Sequence, residues 1–498
     1  MSVQNMETLS IKKASVITAI SKYINIFLGI FFSAILARIL TPNDYGIVAI
    51  VSVFTSFFIV LSNCGLGIAV IQRKDFNNDD INSLFTFSFY LGLVLSSIFI
   101  LLAYPISLFY KDKVYIPICC LLSISIFFNT INAIPDGLLR KNKKFFLIAL
   151  RLIVVSIVTY GLTIVFALLN FNYYSLVIQS ILSGLLVFIW NLKNVKLRLV
   201  KKVNWSVLKS IFEYSGYNFL FNFFNYFSRN LDKIIIGKAL GNEELAQYNK
   251  AYHFMLYPVQ NLTNIITPTL HPILSEFQND VIIIYEKYIR IIKLLSLVGV
   301  FVTAVCFINS KEIITIMYGN QWTSAITCFK FMSLAIWSQM IGGTTGAVFA
   351  ALNDTKSHFY ITIVNFITIL LGIFIGNIFR SIDIISLCVS IVLNLHFFTN
   401  FPTLIKKTMQ LSYINFLKKL SPDILILILL LILIIPLSHL SITNIFLSLL
   451  IKSSIIALVF IVLITLLKQW SYFLPICPGK LKSFLEKSIS NKTNCSRD

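Results

Sequence analysis

Residues 83–105 read SLFTFSFYLGLVLSSIFILLAYP, twenty-three residues without a charge. A helix rises about 1.5 Å per residue, so this run is long enough to cross a hydrocarbon core of about 30 Å. Runs of the same kind recur along the chain. Of its 498 residues 57% are hydrophobic and 12% charged, and the mean hydropathy is +0.85. Soluble domains hold about 45–50% apolar and about 25% charged residues. The sequence therefore reads as an all-α polytopic membrane protein.

Polar punctuation separates about fourteen transmembrane helices, near residues 14–37, 47–71, 83–105, 115–134, 147–169, 174–192, 211–236, 246–271, 289–309, 325–351, 359–379, 382–402, 424–437 and 445–467. The first run does not read as a cleavable signal peptide, since it passes twenty residues, carries Lys22 and is followed by no small-residue cleavage site. No connection exceeds about twenty residues, which leaves no room for a soluble domain in a loop. The expected organisation is a six-helix lobe over residues 1–194, a basic cytoplasmic linker over 195–210 and a second six-helix lobe over 211–405. Two additional helices over 406–468 and a cytoplasmic tail over 469–498 complete it.

Charge sets the orientation. With the N-terminus inside, 27 of the 41 lysines and arginines fall on cytoplasmic segments and six on outer loops, the remaining eight lying in or beside spans. This is the positive-inside bias of a protein with both termini cytoplasmic. The net charge of +21 then reflects topology and contacts to anionic headgroups. Nucleic-acid binding is excluded as a reading, because no folded basic face with recognition elements is present.

Eight cysteines are scattered: Cys64, Cys119, Cys120, Cys306, Cys328 and Cys388 in apolar runs, Cys477 and Cys495 in the tail. No CxxC and no Cys/His cluster occurs, so no disulfide framework, metal site or cofactor is expected.

The two halves resemble each other. The run LARILTPNDYG (Leu36 to Gly46) has a counterpart in IGKALGNEELAQYN (Ile236 to Asn249). At an offset of 200, Asn25 aligns with Asn225, Arg38 with Lys238 and Leu40 with Leu240; a three-residue insertion brings Tyr45 onto Tyr248. Both copies start inside, so the two lobes would be pseudo-symmetric about an axis along the membrane normal, as in many transporters.

Polar residues stripe two spans. In the seventh, Asn218, Asn222, Asn225, Arg229, Asp232 and Lys233 share one helical face; in the first, Lys22 and Asn25 lie in a stripe with Ser15, Thr18, Gly29 and Ser33. An unpaired charge at the bilayer centre costs at least about 2.5–3.5 kcal/mol, so such faces should avoid lipid. Arg229 and Asp232 are spaced to pair at i,i+3. Lys233 either joins the polar face or snorkels to the outer interface, and Arg229 and Lys22 either face a lumen or cap carbonyls between helices. The eighth span holds Pro258, Pro268 and Pro272, and the tenth holds GGTTG at Gly342 to Gly346. Such spans suit bending, or equally the close approach of helices.

The run LARILTPNDYGIVAIVSVFTSFFIVLSNCGLGIAVIQRKDF (Leu36 to Phe76) resembles the opening of bacterial Wzx-type polysaccharide flippases. RNLDKIIIGKALGNEELAQYNKA (Arg229 to Ala251), with the Pro-rich helix and HPILSEF after it, is similar to that family's seventh and eighth helices. One departure is Gln247, where the family usually has a small residue or Gly before the second-half Tyr. The resemblance implies the multidrug, oligosaccharidyl-lipid and polysaccharide exporter superfamily, with two six-helix lobes around a central cavity and two C-terminal helices. It implies a substrate as well: undecaprenyl-diphosphate-linked oligosaccharide, moved from the cytoplasmic to the outer leaflet of the bacterial inner membrane for O-antigen, capsule or exopolysaccharide assembly.

For that substrate Lys22, Arg229 and Lys233 would meet the diphosphate, and Asn25, Asn218, Asn222 and Asn225 the sugar. Asp232 is the main carboxylate on the stripe for proton or sodium coupling, unless Arg229 holds it in a fixed pair. Partners would include a polysaccharide polymerase and a chain-length protein. A multidrug antiporter of the same superfamily would need carboxylates in its lumen. A membrane-embedded polymerase or ligase would need a large outer loop, and every outer loop is short.

Overall fold

The computed structural model describes residues 3–62, 66–73, 76–200, 203–205, 208, 226–227, 229–278, 280–440 and 442–472, and among them there is no strand. Among the described residues eleven helices are long and apolar enough to cross a membrane, or twelve if one bent pair counts as a single span. The chain is thus a multi-pass membrane protein. Of the other expected spans, most of the seventh lies outside the described residues. The eighth is a 34-residue helix too polar to count, since Glu243, Glu244, Gln247, Asn249, Lys250 and His253 crowd its first half.

The first unit comprises residues up to Ala246 together with Tyr318–Gln321. It contains α1 (Val3–Ile39), α2 (Pro42–Ser62), α3 (Leu66–Gln72), α4 (Asn78–Tyr110), α5 (Tyr115–Ile131), α6 (Ala133–Lys141), α7 (Phe145–Leu168) and α8 (Tyr173–Lys193). Helical residues 229–239 form α9. The main packings are α4 on α5, α1 on α7 and α8 on α5 and α7.

Helix starts follow local chemistry. Thr41 and Asp44 open α2: Asp44 Oδ2 accepts from the Thr41 amide and hydroxyl at 3.0 and 2.6 Å, and Thr41 Oγ1 accepts from the Asp44 amide at 3.2 Å. Asn77 and Asp80 do the same for α4, with bonds of 2.8 and 3.2 Å. The carbonyls at the end of α1 are met by Gln321, whose amide donates to Ala37 O and, at 3.0 Å, to Leu40 O. The basic linker is fastened to α4: the amides of Arg198, Val200 and Asn204 donate to Asn82 Oδ1, Thr86 Oγ1 and Ser83 Oγ at 2.9, 2.9 and 2.7 Å. Leu197, Val203 and Leu208 join a core with Leu66, Val70 and Leu84.

The repeated motif explains one glycine. A Cβ on Gly46 would lie 1.9 Å from Asn242 O, a backbone atom that no rotamer change can move. Overpacking of this kind costs about 1–3 kcal/mol or more. Gly46→Ala is therefore expected to lower the Tm of the detergent-solubilised protein and its yield; an unchanged Tm would show that the two backbones can part.

The second unit comprises Gln247–Met317 and the residues from Trp322 onward. It holds most of α10 (Asn242–Ser275), then α11 (Val281–Ile308), α12 (Ser310–Tyr318), α13 (Thr323–Ser333), α14 (Ile336–Gly342), α15 (Thr345–Ala351), α16 (Thr355–Ile378), α17 (Ile382–Leu395), α18 (Phe397–Pro402), α19 (Tyr413–Ile434) and α20 (Ile445–Leu466). The central α11 packs on α14, α19 and α20. Its Gly299 lets the backbone of Trp337 approach, and Trp337 Nε1 donates to Ser296 Oγ at 2.9 Å.

Two sequence features take their roles from packing. The tenth span bends by 54° between Ser333 and Ile336, eight residues ahead of GGTTG. Gly343 fits close approach, since a Cβ on it would lie 2.9 Å from Thr263 Cγ2, whereas one on Gly342 would meet nothing within 4 Å. Gln247, the departure from the family pattern, supplies a cap, since its Oε1 accepts from the Ala325 amide at 3.0 Å in the first turn of α13.

A buried pair also fastens α20. Glu312 Oε1 accepts from Lys452 Nζ at 2.5 Å and from Ser448 Oγ at 2.8 Å. Burial alone would raise the Glu312 carboxyl, but the hydrogen bonds from Lys452 and Ser448 outweigh it and hold the group below the usual glutamate range. A depressed folded pKa stabilises above the unfolded value, about 4.3 for glutamate, and that stabilisation is lost as pH falls through the folded value. The Tm gap between wild type and Glu312→Gln should be full at pH 7 and close at acid pH below about 4.3. A gap independent of pH would contradict an ionised Glu312.

Candidate functional site

Eight basic residues lie in or beside the spans: Lys22, Arg151, Arg229, Lys233, Lys250, Lys293, Lys330 and Lys452. Each must find a partner or face something polar, because hydrocarbon does not solvate it.

Arg151 is spent on structure. Its guanidinium donates to Asp136 Oδ1 at 2.8 Å and Asn191 Oδ1 at 2.6 Å. Arg140 meets the other Asp136 oxygen at 2.7 Å, and Asn191 donates to Asn132 at 2.8 Å. This network joins α5–α6, α7 and α8 at the end that carries Arg140, Lys141, Lys143 and Lys144. Lys293 Nζ donates to Asp423 Oδ1 and, at 3.0 Å, to Lys419 O. Lys452 is held by Glu312 as described. Lys250 lies 5.5 Å from the Trp322 ring centroid and Lys330 5.2 Å from that of Phe307, distances at which a cation is attracted to a ring face.

The residues of the two polar stripes divide. Asn218, Asn222 and Asn225 lie outside the described residues. Asn25 is half-buried and accepts from Ser156 Oγ at 2.6 Å, so it joins α1 to α7. Gly29 sits beside it, where a Cβ would be 3.6 Å from the Tyr160 hydroxyl. Lys233 Nζ donates to Asn230 Oδ1 at 3.1 Å. Asp232 is 8% exposed, and its Oδ1 accepts from the Lys233 amide at 2.8 Å.

The i,i+3 pairing of Arg229 with Asp232 is a correction: the carboxylate turns inward while Arg229 is exposed. Arg229 makes no hydrogen bond or ion pair among the described residues, and the same holds for exposed Lys22. Both lie within a bilayer's depth, Lys22 five residues into the span Ile17–Ile39 and Arg229 eight residues before Gly237, about 12 Å at helical rise. Two exposed cations without a partner among the described residues can meet an anionic group of a ligand. Sequence reasoning singled out these two and missed the Arg151 network, in which Arg151 reaches partners 15 and 40 residues away on other helices. Its one sequence signal was an arginine inside the apolar run 147–169.

Residues 35–327 match the family described as polysaccharide biosynthesis protein. An uncharacterised membrane protein in the cps region of Klebsiella pneumoniae is 24% identical over 353 residues, covering 67% of this chain and 70% of that one. The lipopolysaccharide biosynthesis protein WzxC of Escherichia coli (strain K12) is 24% identical over 366 residues, covering 67% and 68%. Among solved structures, the lipid II flippase MurJ in an inward closed conformation is similar in fold, with a TM-score of 0.71 and 15% identity, over 93% of this chain and 99% of that one.

Proposed function

This chain belongs to the polysaccharide biosynthesis protein family, and from that premise we propose that it is a flippase. It moves undecaprenyl-diphosphate-linked oligosaccharide repeat units from the cytoplasmic to the periplasmic leaflet, by alternating access, for O-antigen, capsule or exopolysaccharide assembly. The observation that carries this reading is the pair of exposed cations, Lys22 and Arg229, which have no partner among the described residues while six others are engaged. A diphosphate headgroup needs such groups. A cationic drug would need the opposite sign, and Glu312, Asp136 and Asp423 are each already bonded to a cation.

The reading includes fourteen crossings, reached when α10 and the segment ending in α9 are added to the twelve spans, arranged as two six-helix lobes and two C-terminal helices. Both termini are cytoplasmic and the membrane is the bacterial inner membrane. Lys22, Arg229 and Lys233 serve the diphosphate; Asn25, Asn218, Asn222 and Asn225 serve the sugar. Asp232 is the group for proton or sodium coupling, and transport by Asp232→Asn still driven by the ion gradient would remove it. A polymerase and a chain-length protein take the product.

Deletion tests the function. Lipid-linked repeat units should accumulate in the inner leaflet while their synthesis continues, read by protease-free glycan labelling from the outer face. Units reaching that face at the normal rate would refute the flippase.

A further inference from the structure

We propose that the first unit holds a subsite for a neutral, hydroxyl-rich ring, a sugar residue, in a cavity between α2, α5 and α8. The pocket is a partly open cleft of about 380 Å3, and Ser125, Asn129, Gln179, Ser180 and Ser183 line it. Pockets for small molecules span about 300–1,000 Å3. Gln179 and Ser183 lie six and ten residues into α8, and Ser125 and Asn129 ten and fourteen into α5. At helical rise these depths are about 9–21 Å, the middle of a core about 30 Å thick.

Some of these polar groups are committed to the protein. Asn129 Nδ2 donates to Ser125 O at 2.8 Å, Ser125 Oγ to Ser180 O at 3.1 Å, and Ser180 Oγ to Leu176 O at 3.3 Å. These bonds hold the walls. The Gln179 amide, the Ser183 hydroxyl and Asn129 Oδ1 have no hydrogen-bond partner among the described residues. Polar groups at this depth carry a desolvation cost unless something bonds to them. Gly184 keeps the arrangement open, because a Cβ there would press to 3.1 Å from Asn129 Nδ2.

The lining chooses the ligand. Among the described residues that line it there is no carboxylate and no cation, so an ion gains no counter-charge from them. An amide with both donor and acceptor, a hydroxyl and a carbonyl oxygen match vicinal ring hydroxyls, which donate and accept in turn. Val48 and Leu176 give an apolar wall for the ring's C–H face. That the ring is one residue of the lipid-linked glycan rests on the flippase function; the polar match does not.

The test uses the full chain in lipid nanodiscs. Leu176→Cys places a thiol on the apolar wall, and its maleimide labelling is measured against the parent protein. The probes are the repeat-unit oligosaccharide released from its carrier by mild acid, and undecaprenyl diphosphate bearing no sugar. The free oligosaccharide should slow labelling saturably and the bare lipid diphosphate should not. Adding Gln179→Leu or, independently, Ser183→Ala should raise the half-protecting concentration about tenfold, the loss of one buried hydrogen bond, at unchanged Tm. Equal labelling with and without oligosaccharide would overturn the subsite, as would protection by the bare lipid diphosphate or an unshifted half-protecting concentration in both variants. The flippase function fails separately, in the deletion strain, since labelling reads binding and not transport.

Discussion

Asp423→Ala is expected to destabilise the protein by about 3–5 kcal/mol, the usual result of removing one member of a buried ion pair. Lys293 and Asp423 are 1% and 0% exposed in their side chains, so truncation leaves an ammonium whose remaining partners among the described residues are Lys419 O and the Tyr472 ring, 4.9 Å away. A double replacement, Lys293→Met with Asp423→Leu, should recover most of the loss, because two apolar groups need no mutual solvation. Denaturant unfolding of the purified protein checks both. If Asp423→Ala is as stable as wild type, the pair is not fully desolvated. The double variant also separates structure from transport: a pair that only pins α19 to α11 leaves flipping intact, whereas one that titrates during transport abolishes it in a well-folded protein.

The sequence made the helices legible for a simple reason: in hydrocarbon every backbone group must be satisfied within the helix, so spans appear as uninterrupted apolar runs. Charges inside those runs signalled that partners must exist. They did not say which, because Lys293 and Asp423 are 130 residues apart and Glu312 and Lys452 are 140 apart. Such pairings are set by which helices pack together. Local spacing misled at Arg229 and Asp232, where three residues separate side chains that point to different environments. The bend near Leu334 was equally hidden, since glycine and proline are its usual sequence marks and the glycines lie elsewhere. The cavity lining was unreadable as well, because Ser, Asn and Gln on α5 and α8 are ordinary membrane-helix residues until two faces meet.

Arg229→Ala should lower flipping by about ten- to a hundredfold, the equivalent of one charge-assisted hydrogen bond at roughly 1.5–3 kcal/mol. Its Tm should not change, because Arg229 makes no bond within the described protein. Arg151→Ala is the matched contrast. It breaks contacts to Asp136 and Asn191 and should lower Tm, with any loss of transport following loss of folded protein. Arg229→Lys should retain part of the rate, since an ammonium keeps the charge while losing the bidentate fork that fits a phosphate. The rate is measured as glycan appearing on the outer face per amount of folded protein, with Tm taken on the same preparations. If Arg229→Ala flips normally, the exposed cation is not on the path of the diphosphate. If instead it loses stability as Arg151→Ala does, then Arg229 is a structural charge and Lys22 alone is left to carry the argument from unpaired cations.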